Sequence, residues 1–308
     1  MEILITPKIN PDLDGFACAY AYAQLLNIID KENHYTAGIY GTPQIEARFL
    51  LEKFSIKEGF ILNPTTLFDK FIIVDASDIK GMPEVIRSQD VIEVIDHREI
   101  HQATEIFPQA KIQIEIIGAA ATLIFEKLKL LNFSIDKNSL YLLLGAIFSN
   151  TLNFKSDLVS PRDRVAVQSL SNDYGLSIPD DLIDDMFRYK TEYIENNLEE
   201  VINSDFKIFN DGLGIAQLEG FDLDIIISNK FSEIASILQK IKEKNNLVYI
   251  FLTAADIKNG YNIFLTIDEN TQNLLSKLDG LSFEKTGIAK NNKLLLRKQI
   301  LKYLMSNI

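Results

Sequence analysis

Four short stretches of this chain hold residue types that could do chemistry together. The first is the loop from Pro7 to Gly15, where Asp12 and Asp14 stand two apart between an apolar strand pattern, Ile3 to Ile5, and an apolar helix pattern, Phe16 to Ile29. Two carboxylates placed there offer hard oxygen ligands at the carboxyl end of a strand, beside a helix start that also favours anions. That is chemistry for a metal and a phosphate. Taken alone, the loop reads first as an ordinary helix start, with Asp14 as the cap and Asp12 as a solvated turn residue. The second stretch is the apolar run Phe71-Ile72-Ile73-Val74, which ends in Asp75, the way a strand buried on both faces delivers a carboxylate. The third is Asp96-His97-Arg98 after Val91 to Ile95, a histidine and a cation at another strand end. The fourth is Ser149-Asn150-Thr151, emerging from a very apolar helix pattern. His34 and His101 stand in no such pattern and read as structural or solvated.

The elements that must position these residues alternate between strand and helix. After the first strand and helix, His34 to Tyr40 reads as a strand and Pro43 to Phe54 as a helix; strands follow at 71–74, 91–95 and 111–117. Gly118 to Leu131 and Ser139 to Phe148 read as helices, and Pro161 suits the first turn of another. This alternation predicts an α/β fold, a parallel sheet with helices on both faces. A charged helical stretch from Pro179 to Glu200 is the expected linker region, which gives domains at residues 1–188 and 189–308. The second, smaller α/β domain reads as strands at 204–209, 213–218, 247–253 and 262–267, a helix from Lys230 to Lys244, and an amphipathic helix from Asn291 to Leu304.

Composition narrows the function classes. At 308 residues two domains are expected, each able to bury its own core. A net charge of -12 argues against a broad nucleic-acid surface, which needs clustered Lys and Arg, but leaves room for a local basic pocket. The single cysteine, Cys18, falls in an apolar helix run and reads as a buried structural thiol, which suggests a reducing compartment. No apolar stretch reaches spanning length and the amino terminus has no basic n-region, so a cytoplasmic protein without a membrane partner is expected.

Taken in order, Asn10-Pro11-Asp12-Leu13-Asp14, Val74-Asp75, Ile95-Asp96-His97-Arg98, Gly118-Ala119-Ala120-Ala121-Thr122 and Asn150-Thr151-Leu152 resemble the DHH phosphoesterase superfamily. The second half resembles its DHHA2 type of carboxyl-terminal domain through Asp205-Phe206-Lys207, Gln217-Leu218-Glu219, Ala255-Asp256-Ile257 and Arg297-Lys298-Gln299. That pairing resembles manganese-dependent inorganic pyrophosphatases and exopolyphosphatases; the Gly-Gly-Gly-His signature of the nuclease branch is not found. The resemblance implies two metals held by a histidine ahead of the Asp-X-Asp pair, both of its aspartates, the strand-end aspartate, the first histidine of Asp-His-His and a later aspartate. Asp12, Asp14, Asp75 and His97 match, whereas Lys8, Arg98 and Asn150 stand where the family has histidine, histidine and aspartate.

Counted with one divalent ion fewer, the Lys8 and Asn150 replacements keep the charge sum of the site at zero. The family sets four carboxylates against two divalent ions; here Asp12, Asp14 and Asp75 would face the Lys8 ammonium and one divalent ion. The resemblance therefore implies Mn2+, or Mg2+, as one ion rather than two, with Asp12, Asp14, Asp75, His97 and the Asn150 carbonyl as candidate ligands. Asp12, Asp14, Asp75 and His97 are the candidate catalytic residues. Lys8, Arg98, Lys207, Arg297 and Lys298 are the candidate phosphate contacts, although an isolated basic residue is more often part of a solvated face. The expected function is hydrolysis of a phosphoanhydride such as pyrophosphate or short polyphosphate, in a cleft between two domains, with reduced or altered activity. The alternative is a catalytically degenerate relative that binds or senses a phosphorylated small molecule. A homodimer through the amino-terminal sheet is also implied.

Overall fold

A computed structural model describes residues 1–98, 101–131, 135–176, 179, 181–209, 212–278, 280–283 and 287–305. It divides into two compact units, Met1–Met186 and Phe187–Ile308. The division falls within the helix Leu182–Asn196.

The first unit is built on six strands: β1 (Glu2–Thr6), β2 (His34–Ile39), β3 (Ile61–Leu62), β4 (Lys70–Val74), β5 (Val91–Asp96) and β6 (Lys111–Ile114). All five pairings are parallel, in the order β3-β2-β1-β4-β5-β6. The chain thus builds outward from β1 to β3, then returns to the middle and builds the other way from β4. At that reversal the loops leaving β1 and β4 diverge and open a crevice at the carboxyl ends of the two strands. Asp12 and Asp75 follow those two strands.

Ile3, Leu4 and Ile5 alternate between the two faces of β1 and are all buried, as a parallel sheet covered on both sides requires. On one face lies α1 (Leu13–Ile29), which packs against α4 (Ala120–Leu131) and α5 (Lys137–Asn150). The helix α1 is buried almost all round, and its small residues Ala17, Cys18, Ala19 and Ala21 permit that close packing. On the other face Leu4, Ile73 and Val94 pack with Phe107, which follows the short α3 (Ala103–Ile106). The remaining helices of this unit are α2 (Ile45–Lys53) and α6 (Pro161–Asn172), the latter opened by a capping box between Ser160 and Asp163 with Pro161 in its first turn. The strand expected over 111–117 stops at Ile114, and Ile117 turns its carbonyl to a histidine instead.

The second unit begins with α7 (Leu182–Asn196) and α8 (Leu198–Ser204) and holds a mixed five-stranded sheet. Its strands are β7 (Phe206–Phe209), β8 (Leu213–Gly220), β9 (Tyr249–Asp256), β10 (Tyr261–Thr266) and β11 (Ile288–Asn291), in the order β11-β10-β9-β8-β7. One face is covered by α8, α9 (Leu223–Asn229) and α10 (Phe231–Lys244) through Ile202, Ile226 and Leu238, the other by α11 (Glu269–Leu275) and α12 (Arg297–Met305) through Leu275 and Ile300. The helix expected from Asn291 is corrected here: β11 ends at Asn291 and α12 starts at Arg297. Asn262 on β10 exchanges two 2.7 Å hydrogen bonds with the Leu295 backbone, and this holds the chain extended where the Leu294-Leu295-Leu296 run mimics a helix. Among the described residues no helix is long and apolar enough to cross a membrane.

Candidate metal centre

The crevice between β1 and β4 gathers Asp14, Asp75 and His97, whose ligand atoms lie within 4.8 Å of one another. Asp14 sits in the first turn of α1 and is 1% exposed. Its Oδ2 accepts from Ala120 N at 2.8 Å and Asn150 Nδ2 at 2.7 Å, and its Oδ1 from Ala121 N at 2.7 Å and from the Cys18 thiol at 3.6 Å. Asp75 follows β4 with a left-handed backbone, φ 52°, a conformation costing a non-glycine residue roughly 1–2 kcal/mol. Its N–H still donates to Ile95 O at 2.8 Å, so the sheet fixes where the turn begins. Asp75 Oδ2 is buried and has no hydrogen-bond partner. A Cβ on Gly15 would lie 3.2 Å from that oxygen and 2.8 Å from Pro7 Cβ, so the close approach of α1 to the site requires glycine there.

His97 Nδ1 is 2.9 Å from the Ile117 carbonyl, which can only accept. Nδ1 therefore carries a proton and Nε2 faces the carboxylates, 3.4 Å from Asp75 Oδ1 and 3.9 Å from Asp14 Oδ2. A second hydrogen bond of this kind fixes the ring and readies the opposite nitrogen for a metal. Two carboxylates, one of them with a buried oxygen that has no partner, and an imidazole fit a divalent cation. The nitrogen donor favours Mn2+ over Mg2+.

Electrostatics make the same point. Burial raises the Asp14 carboxyl, the nearby Asp75 adds to it, and the result is about 8. Burial likewise raises Asp75, with Asp12 contributing. Burial alone would lower His97, but the Asp75 contact and the charges of Asp14 and Asp75 raise it to about 10. A cation arriving here must displace protons. Groups whose folded pKa is raised stabilise the fold fully below their unfolded values, 3.8 for Asp14 and 6.5 for His97, and lose that contribution as pH rises through about 8 and about 10. The melting temperature of the metal-free protein is accordingly expected to fall between about pH 5 and about pH 9, and saturating Mn2+ to flatten the fall. Calorimetric scans at several pH values, with and without Mn2+, check it; a metal-free melting temperature that rises over this window overturns it.

The other sequence candidates sort differently. Asp12 caps α1, its Oδ1 accepting from Gly15 N at 3.1 Å, while its Oδ2 lies 3.2 Å from Lys8 Nζ. Capping thus falls to Asp12 and burial to Asp14, the reverse of the simple helix-start reading. The Asp12 charge raises the Lys8 ammonium, and although burial opposes ionisation of Asp12, Lys8 holds its carboxyl below the usual range. Lys8 is a proton-holding cation beside the trio. Asn150 turns its amide nitrogen, rather than the carbonyl oxygen expected to ligate, to Asp14, with His97 Nε2 at 3.3 Å and Gly118 O at 3.3 Å.

Arg98 is committed to its neighbours: Nη1 to Asp78 at 3.1 Å, Nη2 to Asp75 O at 3.2 Å, and Nε 3.4 Å from the fully buried Asp96, which also accepts from Ser77. It braces the turn that carries Asp75. In the second unit Arg297 is nearly buried and bonded to the Asp205 carboxylate, to Asp205 O at 2.6 Å and to Ile215 O at 3.3 Å, whereas Lys207 and Lys298 are exposed. Sequence reasoning gave no role to the backbone donors of Ala120 and Ala121 or to the Asp96 brace, although all three lie inside motifs, and it did not find the Ile117 carbonyl or the Asp78 brace, whose only signal was nearness to motifs.

Residues 2–147 match the model of the DHH family, N-terminal domain, and residues 184–306 that of the DHHA2 domain. The chain is 27% identical over 313 residues to a Clostridium acetobutylicum protein named as a probable manganese-dependent inorganic pyrophosphatase, covering 99% of this chain and 98% of that one. It is 29% identical over 262 residues to the manganese-dependent inorganic pyrophosphatase of Methanothrix thermoacetophila, covering 83% and 82%. A Methanococcus jannaschii structure described as a candidate family II inorganic pyrophosphatase superposes with a TM-score of 0.76 at 22% identity, over 99% of this chain and 98% of that one, and so shares the fold.

Proposed function

Because this chain belongs to the DHH family, with a DHH amino-terminal domain followed by a DHHA2 domain, we propose that it is a metal-dependent phosphoanhydride hydrolase of the inorganic pyrophosphatase and exopolyphosphatase type. The observation carrying this reading is the cluster of Asp14, Asp75 and His97, with its unpartnered Asp75 oxygen, at the reversal point of a parallel sheet. Asp14, Asp75 and His97 Nε2 hold one ion, Mn2+ in preference to Mg2+. When bound, that ion supplies Lewis-acid activation of water and neutralises charge on the transferred phosphoryl group. Asn150 fixes the Asp14 carboxylate by donating to it, and the Ile117 carbonyl keeps the proton on His97 Nδ1. Asp12 holds the Lys8 ammonium beside the carboxylates, where it takes part of a second cation's electrostatic role.

Lys207 and Lys298 are the second-unit cations assigned to phosphate, and Arg297 is assigned to bracing Asp205. We assign Arg98 to holding the Asp75 turn, its charge adding to the positive field that attracts an anion. The lone buried thiol of Cys18 suits a reducing, cytoplasmic setting, and a homodimer is part of the same reading.

The test is turnover of pyrophosphate and tripolyphosphate by the purified protein with Mn2+, Mg2+ or chelator, alongside calorimetric metal stoichiometry. One Mn2+ per chain and Mn2+-dependent release of phosphate are expected. Tight pyrophosphate binding without turnover would make the protein a binder of a phosphorylated small molecule. Neither binding nor turnover would overturn the reading.

A further inference from the structure

The segment 117–122, which leads from β6 into the first turn of α4, shapes the candidate metal centre. The Ile117 carbonyl accepts from His97 Nδ1, the Gly118 carbonyl from Asn150 Nδ2, and the N–H groups of Ala120 and Ala121 donate to the two oxygens of Asp14. β6 ends at Ile114, so this segment lies beyond its ladder. It is gripped instead by one side chain from α6. Asp163 is 0% exposed; its Oδ2 accepts from Gly118 N at 3.0 Å, Ser160 N at 2.7 Å and Ser160 Oγ at 2.8 Å, and its Oδ1 accepts from Thr122 Oγ1 at 2.6 Å.

One carboxylate therefore holds both ends of the segment whose backbone contacts three of the site's polar side chains. The fit leaves no slack: a Cβ on Gly118 would come within 2.6 Å of Asp163 Oδ2 and 2.7 Å of Thr151 Cγ2. Only an acceptor with two oxygens answers these four donors; an amide has one oxygen and must turn its NH2 toward a former donor. A plain capping-box aspartate would need only its own helix end. The contacts to Gly118 and Thr122 reach a different element, whose backbone meets the site residues.

We propose that Asp163 is a positioning residue for the metal centre, acting through segment 117–122 on His97, Asp14 and Asn150. This rests on the reading that Asp14, Asp75 and His97 hold the ion. Removing an outer partner of a metal ligand commonly weakens metal binding by about 10- to 100-fold, and a loss of that size is expected for Asp163→Ala, with Asp163→Asn between it and the wild type.

The experiment compares wild type, Asp163→Ala, Asp163→Asn and, as a control, Asp136→Ala. Asp136 caps α5 in the same unit by accepting from Ser139 N at 2.7 Å, away from segment 117–122. Three readouts are taken: melting temperature, Mn2+ affinity by calorimetry, and, without metal, solvent exchange of the His97 ring Nδ1 proton by NMR, assigned against His97→Gln. The Asp163 variants are expected to bind Mn2+ more weakly and to exchange the ring proton faster, with the Ala variant the more affected. The control is expected to lower the melting temperature without moving either site readout.

Folded Asp163 variants with wild-type Mn2+ affinity and ring-proton exchange would overturn the proposal. So would a control that loses both in proportion to its stability. If neither Asp163 variant folds, Thr122→Val, which removes only the hydroxyl donor to Asp163, is read by the same criteria. A wild type that binds no Mn2+ would sink the metal reading, while the metal-free exchange data would still decide whether Asp163 holds His97.

Discussion

Asp75→Asn is expected to abolish measurable Mn2+ binding and metal-dependent turnover, while the metal-free variant melts at a higher temperature than the metal-free wild type. The two effects share one cause. Asp75 lies beyond its strand with a buried oxygen that nothing in the described protein satisfies, and a buried polar group without a partner costs on the order of 1–3 kcal/mol. Burial and the Asp12 charge raise its carboxyl even though His97 and Lys8 pull the other way, so the fold disfavours the charged form. An amide of the same shape removes that charge.

In the first unit, about 1–2 kcal/mol of relief corresponds to a rise of roughly 2–8 °C in melting temperature. The same change removes an anionic ligand, and the loss of metal affinity should exceed the about 10- to 100-fold typical of outer partners. Calorimetric titration and thermal scans of both proteins measure it. A variant that keeps Mn2+ affinity would take Asp75 out of the ligand set; one that loses affinity and stability together would show that the carboxylate is needed for folding and is not held in strain for function.

The second large effect is a gain. Lys8→His combined with Asn150→Asp is expected to raise the stoichiometry from one Mn2+ to two and to increase pyrophosphate hydrolysis at least about 10-fold. The ammonium 3.2 Å from Asp12 is removed, and a carboxylate replaces the amide 2.7 Å from Asp14 and 3.3 Å from His97 Nε2. The empty centre becomes about two charges more negative, which without metal places carboxylates against one another and lowers stability. Mn2+ should reverse that loss by ligand linkage, so the rise in melting temperature on adding metal should be larger than in wild type. Arg98 is kept because its fork ties the Asp75 carbonyl to Asp78 and Asp96, and a histidine there would release the turn. One ion per chain in the double variant would end the idea that Lys8 occupies a cation's place. Two ions without faster turnover would show that Lys8 and Asn150 alone do not limit hydrolysis.

What the amino-acid order determines here is local in its physics. The apolar runs at 3–5 and 71–74, and the run 91–95 broken only by Glu93, suit strands buried on both faces of a parallel sheet, and so they place Asp75 and His97 at strand ends. The spacing of Asp12 and Asp14 around a helix start is legible in the same way, as are the departures at Lys8, Arg98 and Asn150, because a motif read in register exposes a substitution by its position.

Tertiary structure decided which partner each of these groups takes, since hydrogen bonds join atoms far apart in sequence. Asp14 is satisfied by N–H groups 106 and 107 residues away, and Arg98 by acids on its own side of the sheet, which leaves its fork occupied. Similarly, the segment 291–304 has helical periodicity, yet Asn262 on a neighbouring strand holds Leu295 extended. Periodicity reports which face of an element is apolar. Which polar atom meets which depends on the packing of elements the chain has brought together, and so Asp163, an ordinary capping residue in sequence, becomes a support of the site only in three dimensions.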